Sequence, residues 1–284
     1  IGGGCCNKAC QAYTTIAGGL QNIINSAVST IAGGQLNTIS SGNCSFIGGG
    51  SGNTLSGNYI NTIVGGTGNT VSNYSACQTI VGGITNTITG GGGGIIGAGQ
   101  QNSIGAGNMY GAIVAGRCNT LSNSYSAYSN LIGSGCCNSI SSAYPQTSYF
   151  NFIGNGCLNK IFNGTNSSGY GCVSVNSSAI VAGTQNTSSA SCSFIGGGCS
   201  NFVSGQRSFI GSGTNNDICN TCGAFIGGGS TNVISGSAAS TNHVIAGGST
   251  NEIVVTDGNQ PNASVSTIGG GYNNCITHGG SVIA

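Results

Sequence analysis

The sequence predicts an all-β chain wound as a β-solenoid, a β-roll of about 16 coils of 15–17 residues with loop insertions on one edge. Three observations carry this. A short repeat recurs from one end of the chain to the other, its spacing varies in only one stretch, and its charges gather at one position. A period this short means one supersecondary unit stacked on itself, each copy too small to bury an apolar face alone.

The repeat opens with Ile and continues through two small residues, Gly, two variable residues and Asn, as in Ile1…Gly4…Asn7 and Ile16…Gly19…Asn22. Numbering the Ile as slot 1, and counting back from slot −1 before it, no copy departs from Ile at slot 1, Gly at slot 4 or Asn at slot 7. The predicted core ladder therefore begins Ile1, Ile16, Ile31, Ile47, Ile63 and Asn7, Asn22, Asn37, Asn53, Asn69. Successive slot-1 residues lie 15 to 27 apart, yet slots 1 to 9 never change length, so every insertion falls after slot 9. A rigid framework with one elastic edge is how a solenoid grows loops from a single corner.

Two short strands per coil follow. The first runs around slots −2 to 2, as in Ser45-Phe46-Ile47, and the second around slots 7 to 10, as in Asn53-Thr54-Leu55-Ser56. Slot 9 is Ile, Leu or Val except at Ala9 and Ser188. Alternation along a strand sends slots 1, 7 and 9 inward and slots −1 and 8 outward. The charges agree: Lys8, Lys160, Asp217 and Glu252 all occupy slot 8, and unpaired charges are almost never buried. Between the strands, Gly4 and its equivalents turn the chain with positive φ. Asn at slot 7 has two readings, tolerance of a left-handed turn or a stacked amide ladder about 4.8 Å per rung. Asp and Ser would serve a turn equally and never appear there, which favours the ladder.

Composition excludes several classes. With 56 Gly and 2% charged residues the chain resembles a disordered one, but its fixed apolar period argues against disorder. A net charge of +1 offers no field for nucleic acid or an anionic membrane. No apolar run reaches the roughly 20 residues of a membrane span. So little charge favours self-association. Residues 1–284 read as a single repeat domain, a piece of a longer array.

The run Ser193-Phe194-Ile195-Gly196-Gly197-Gly198 followed by Asn201 resembles the head repeats of trimeric autotransporter adhesins, and is similar to Asn/Gly-rich repeats of large-virus and phage fibre proteins. The resemblance implies a left-handed β-roll with three rolls side by side. Two departures stand out: Asn replaces the small Ala usual at slot 7, and the coil is longer by a residue or more.

The outward slot −1 row includes Phe46, Phe152, Phe194, Phe209 and Phe225, the last three on consecutive coils. This stripe is either an interface with another copy or an inward third side of the coil. Thr30, Thr62 and Thr79 in the same row, with Thr38, Thr54, Thr70, Thr87 and Thr120 at slot 8, raise ice binding as an alternative, though Lys, Phe, Asp, Val and Glu interrupt slot 8 elsewhere. Nine of ten Tyr lie on the elastic edge, among them Tyr59, Tyr74, Tyr125, Tyr144, Tyr149 and Tyr170, a candidate edge for glycan or surface recognition. The longest insertions, about 144–150, 162–175 and 254–265, share that edge.

Fifteen Cys suggest an oxidising, extracellular or surface setting. Cys136 and Cys157 share slot 5 on consecutive coils, which permits a disulfide, and Cys118 and Cys137 share slot 6. Cys219-x-x-Cys222 reads as a loop staple, since no second Cys pair completes a metal site. Catalysis finds little material: Asp217, Glu252, Asp257, His243 and His278 form no paired acid–base set. We expect no enzyme and no cofactor. The expected function is a structural fibre or stalk subunit that polymerises with itself through its ends and apolar stripe, with an adhesin head as the alternative.

Overall fold

The structure, a computed structural model, describes residues 1–72, 76–123, 127–142, 147–162, 175–236, 241–255 and 265–284. Among them there is no helix; every paired strand is parallel and the chain is a β-solenoid. It comprises two compact units, Ile1–Cys137 and Asn138–Ala284. In the first, eight slot-9 strands stack from Lys8–Ala9 to Thr120–Asn123, and eight slot-1 strands from Thr15–Ile16 to Leu131–Ile132. The second repeats the arrangement, from Ser139–Ser142 to Cys275–Ile276 and from Phe152–Ile153 to Val282–Ile283. Register is slot on slot, Ile16 against Ile31 and Ile47 against Ile63. A third line of contact, not anticipated, joins neighbouring coils at slot 5, as in Leu20 with Gln35.

The apolar ladders form the core. Ile16, Ile31, Ile47 and Ile63 at slot 1, and Ile24, Ile39, Leu55 and Val71 at slot 9, are fully buried. Burying each such side chain contributes ~1.5–3 kcal/mol, and the stack repeats the gain every rung. Ile1 departs from its predicted place in the core: it is 64% exposed, because its rung has a neighbour on one side only.

The Asn column is a ladder, though a different one from stacked amides alone. Asn22, Asn37, Asn53 and Asn69 are fully buried. Asn37 Nδ2 donates to Gly33 O at 3.1 Å in its own coil and to Gly50 O at 3.0 Å in the next. Its Oδ1 accepts the main-chain N–H of Asn53 at 3.0 Å. Amide-to-amide bonds, such as Asn53 Nδ2 to Asn37 Oδ1 at 3.1 Å, accompany this network on some rungs. Asp could not donate to the two carbonyls, and Ser could not reach them.

Slot 6, not slot 7, is the left-handed position: Gln21, Leu36, Thr85 and Gln101 have φ of 56°, 58°, 52° and 55°. A second left-handed row lies at slot −3, with Tyr13, Val28, Cys44 and Ile60. Each non-glycine residue there costs ~1–2 kcal/mol. The turn reverses the peptide, so these amides point backward along the stack, Leu36 N to Leu20 O at 2.9 Å and Val28 N to Ala12 O at 3.1 Å. The next residue in each half of the coil points inward, and in most coils it is a polar side chain that caps the following rung. Asn does so at slot 7; at slot −2 Ser29 Oγ accepts from Ser45 N and Asn61 Oδ1 from Gln78 N. The coil is thus two similar half-coils, each running left-handed residue, inward polar, outward, inward apolar, outward.

Gly at slot 4 is required twice over. Gly19 has φ of 101°, and a Cβ there would lie 2.2 Å from Gly34 O and 2.6 Å from Asn22 Nδ2. The Asn network closes only if rungs approach this near.

Candidate interaction surface

The outer face of the slot-1 sheet presents slots −1 and 2. Phe194, Phe209 and Phe225 stand in register there, their rings stacked 4.8 and 5.2 Å apart and within 6° of parallel. The stripe therefore faces outward and is not a third inward side. Phe46 and Phe225 are each 38% exposed, and Phe152, Phe194 and Phe209 are half-buried. Each ring leans over the slot-2 glycine of its own coil: Phe46 Cε1 lies 3.4 Å from where a Gly48 Cβ would be, and Phe209 Cε1 3.5 Å from that of Gly211. Flanking rungs expose Val64, Val81, Val114 and Val181 at slot 2.

The slot-9 sheet shows water a different chemistry. In the first unit Thr38, Thr54, Thr70, Thr87, Ser103 and Thr120 form an unbroken hydroxyl column. In the second unit the column holds Lys160, Phe202, Asp217, Val233 and Glu252. Asp217 sits between Phe202 and Val233. Burial beside these apolar neighbours pushes its carboxyl above the usual range, against the Cys219 thiol, which donates to Oδ1 at 3.1 Å. Burial and that same carboxylate push Cys219 up to about 12.

Of the candidate recognition residues on the edge, Tyr59 is 59% exposed and Tyr149 half-buried. Tyr74, Tyr125, Tyr144 and Tyr170 lie outside the described residues, as does Asp257. Tyr59 borders a shallow cleft of about 140 Å³ with Ser41, Asn43 and Asn58.

The cysteines form no disulfide among the described residues. Cys136 and Cys157 are not joined in a disulfide, nor are Cys118, Cys137, Cys219 and Cys222, so neither the expected bridge nor the loop staple is made. The thiols instead take part in local polar contacts. Arg117 Nη2 lies 3.7 Å from Cys136 Sγ, and Cys136 Sγ 3.4 Å from Cys137 Sγ. That neighbour and burial hold Cys137 at about 11, a protonated, weakly nucleophilic thiol. No group of three or more His, Cys, Asp or Glu among the described residues is placed to hold a metal.

His243 fills the slot −2 role: fully buried, its Nδ1 accepts Ser266 N at 3.2 Å, and burial holds its pKa down. The Ser or Asn that stands two residues before the slot-1 Ile in most coils was the signal for its task.

No helix among the described residues is long and apolar enough to cross a membrane. Compared with protein-family models and with curated proteins, the chain matches none, so the surfaces above rest on their own chemistry.

Proposed function

We propose that this chain is a structural subunit of an extracellular or surface-exposed fibre, filament or stalk, assembled from copies of itself. One observation supports the reading above others: each rung bonds the next through the same slots, Asn to Asn and Ile over Ile, so length is added without new chemistry. A stack of such rungs presents a row of unpaired strand groups wherever it stops, and another copy continues the same ladder. The outward Phe and Val stripe supplies lateral contact. The resemblance to adhesin and viral fibre repeats suits a setting outside the cytosol. The polar groups with perturbed acidity, Asp217, Cys219 and His243, are engaged in packing, and we read no catalytic role into them.

Electron microscopy of dilute protein tests this. Long filaments are the expected result; discrete short particles at every concentration overturn it.

A second reading has one observation in its favour, the cleft beside Tyr59 with its ring of hydroxyl and amide groups. Such a surface suits a sugar, with the aromatic ring against an apolar sugar face. Glycan-array binding that Tyr59→Ala abolishes would establish an adhesin role, and a blank array would remove it.

A further inference from the structure

The outer face of the slot-1 sheet obeys a volume rule. Every bulky residue at slot −1 (five Phe, Ile95 and Leu131) is followed two residues on by Gly. Every Val at slot 2 is preceded there by Thr or Ala: Thr62–Val64, Thr79–Val81, Ala112–Val114 and Ala179–Val181. Large plus none stands in for Thr or Ala plus Val on these eleven rungs, which keeps their heights similar; the other five pair Thr or Val with Ala or Gly, Thr267–Gly269 being the smallest. A solvent-facing row has no reason to conserve height, because water fills any step. A face that must lie against a rigid, level surface does.

We infer that this face is a homotypic interface, packing flat against the same face of a second copy. Three features select that occupant. The strip carries no Lys, Arg, Asp or Glu in either unit, the charges lying at slot 8 on the other sheet and at corners; like therefore meets like without repulsion. Only another copy repeats with the same rise, about 4.8 Å per rung, so steps and hollows stay in phase along the contact. Two outward columns about 10 Å wide over eight rungs give ~400 Å² per unit, half of the ~800 Å² per partner of a stable interface. The contact must then be long, which suits side-by-side fibres. The proposal rests on the lateral contact of the fibre reading and gives it an address.

The competing explanation is that Phe merely shields its own glycine backbone. A bump and its repair separate the two. Thr62→Phe beside Val64 raises one rung above the level; Thr62→Phe with Val64→Gly restores it, with the same ring. Association is followed by sedimentation equilibrium and filament width by electron microscopy, with circular dichroism to confirm folding. The expected result is at least ~10-fold weaker pairing for the single variant, recovery in the double, and thinner filaments from the single alone. Thr62→Lys should abolish pairing, while Thr54→Lys on the slot-9 sheet should leave it intact. Equal pairing by wild type, single and double variants overturns the inference, as does wild type that stays unpaired or loss caused by Thr54→Lys. Filaments of unchanged width in Thr62→Phe would sink this face while leaving the fibre reading standing. Discrete face-to-face pairs that never elongate would do the reverse.

Discussion

Asn53 Oδ1 accepts the main-chain N–H of Asn69, one coil on, at 3.0 Å, while Asn53 Nδ2 donates to Gly49 O, Gly66 O and Asn37 Oδ1 at 3.0, 2.9 and 3.1 Å. One buried amide thus serves three coils. Asn53→Ala orphans the Asn69 N–H and Gly49 O, while Gly66 O keeps its bond from Ser51 N at 3.0 Å; the cost is roughly 1–3 kcal/mol for each group left unsatisfied. Asn53→Asp keeps the acceptor but turns a carboxylate toward two carbonyls. Both variants should unfold locally, seen as lost hydrogen-exchange protection at Asn69, and Asp should recover partly in acid where it can donate. Protection equal to wild type in either would refute the account.

Gln78 is the misfit of the slot −2 column. Its Oε1 is buried without a partner, and it lies against Gly94, where a Cβ would come within 2.4 Å of it. On the preceding rungs the side-chain oxygen caps the next amide, as Ser45 Oγ does for Asn61 and Asn61 Oδ1 for Gln78 itself, the latter at 3.0 Å. Shortening by one methylene in Gln78→Asn brings the carbonyl to that position. We expect a gain of about 1 kcal/mol, read as a higher denaturant midpoint; a lower midpoint would show that the lost volume outweighs the bond.

The left-handed rows make a converse prediction. Val28 and Ile60 are β-branched, hold φ of 54° and 59°, and are 52% and 56% exposed. Glycine in their place relieves strain and removes little packing, though it gives the unfolded chain more freedom. Val28→Gly should stabilise by about 0.5–1 kcal/mol, whereas Gly66→Ala, with φ of 95° and a neighbouring oxygen 2.2 Å from the new Cβ, should cost several times that. Thermal melts of the two variants must move in opposite directions.

Most of the fold was legible because side-chain alternation and an invariant period are readable from letters. Ile at slot 1, Gly at slot 4 and Asn at slot 7 each have a physical reason to be invariant, and apart from Ile1 the slot-1, slot-4 and slot-7 residues described above sit as that reason requires. The left-handed rows were hidden because no residue type marks them: Cys6, Leu36, Thr85 and Tyr13 share a backbone conformation and no chemistry. Leu36 and Thr85 are held by the backward hydrogen bond to the preceding rung, a property of the stack, and Cys6 and Tyr13 on the first rung share the conformation. The slot −2 caps were legible in principle, as Ser29, Ser45, Asn61 and His243 are all acceptors, yet the variety of residues masked a common role. Cys136 and Cys157 show the opposite failure, a spacing that permits a bond without making one.

Two groups give the second unit opposite responses to acid. His243 is buried and neutral, and its pKa is lowered from 6.5 by desolvation. The unfolded chain therefore takes up its proton first, so stability is full above about pH 6.5 and falls as pH drops toward the lower folded value. Protonation also converts Nδ1 from acceptor to donor and breaks its bond from Ser266 N. Asp217 runs the other way. Its pKa is raised by burial between Phe202 and Val233, so the folded state holds its proton more tightly. Stability from that group is full below the ordinary value of 3.8 and is lost as pH rises through the folded pKa. Protection of Ser266 N from hydrogen exchange should fall as pH drops below 6.5, and His243→Asn, which keeps an acceptor, should abolish that dependence. Asp217→Asn should stabilise the Phe202–Val233 rungs at neutral pH and leave them unchanged in strong acid. An Asp217→Asn variant no more stable than wild type at pH 7 would mean that the Cys219 thiol fully offsets the desolvation.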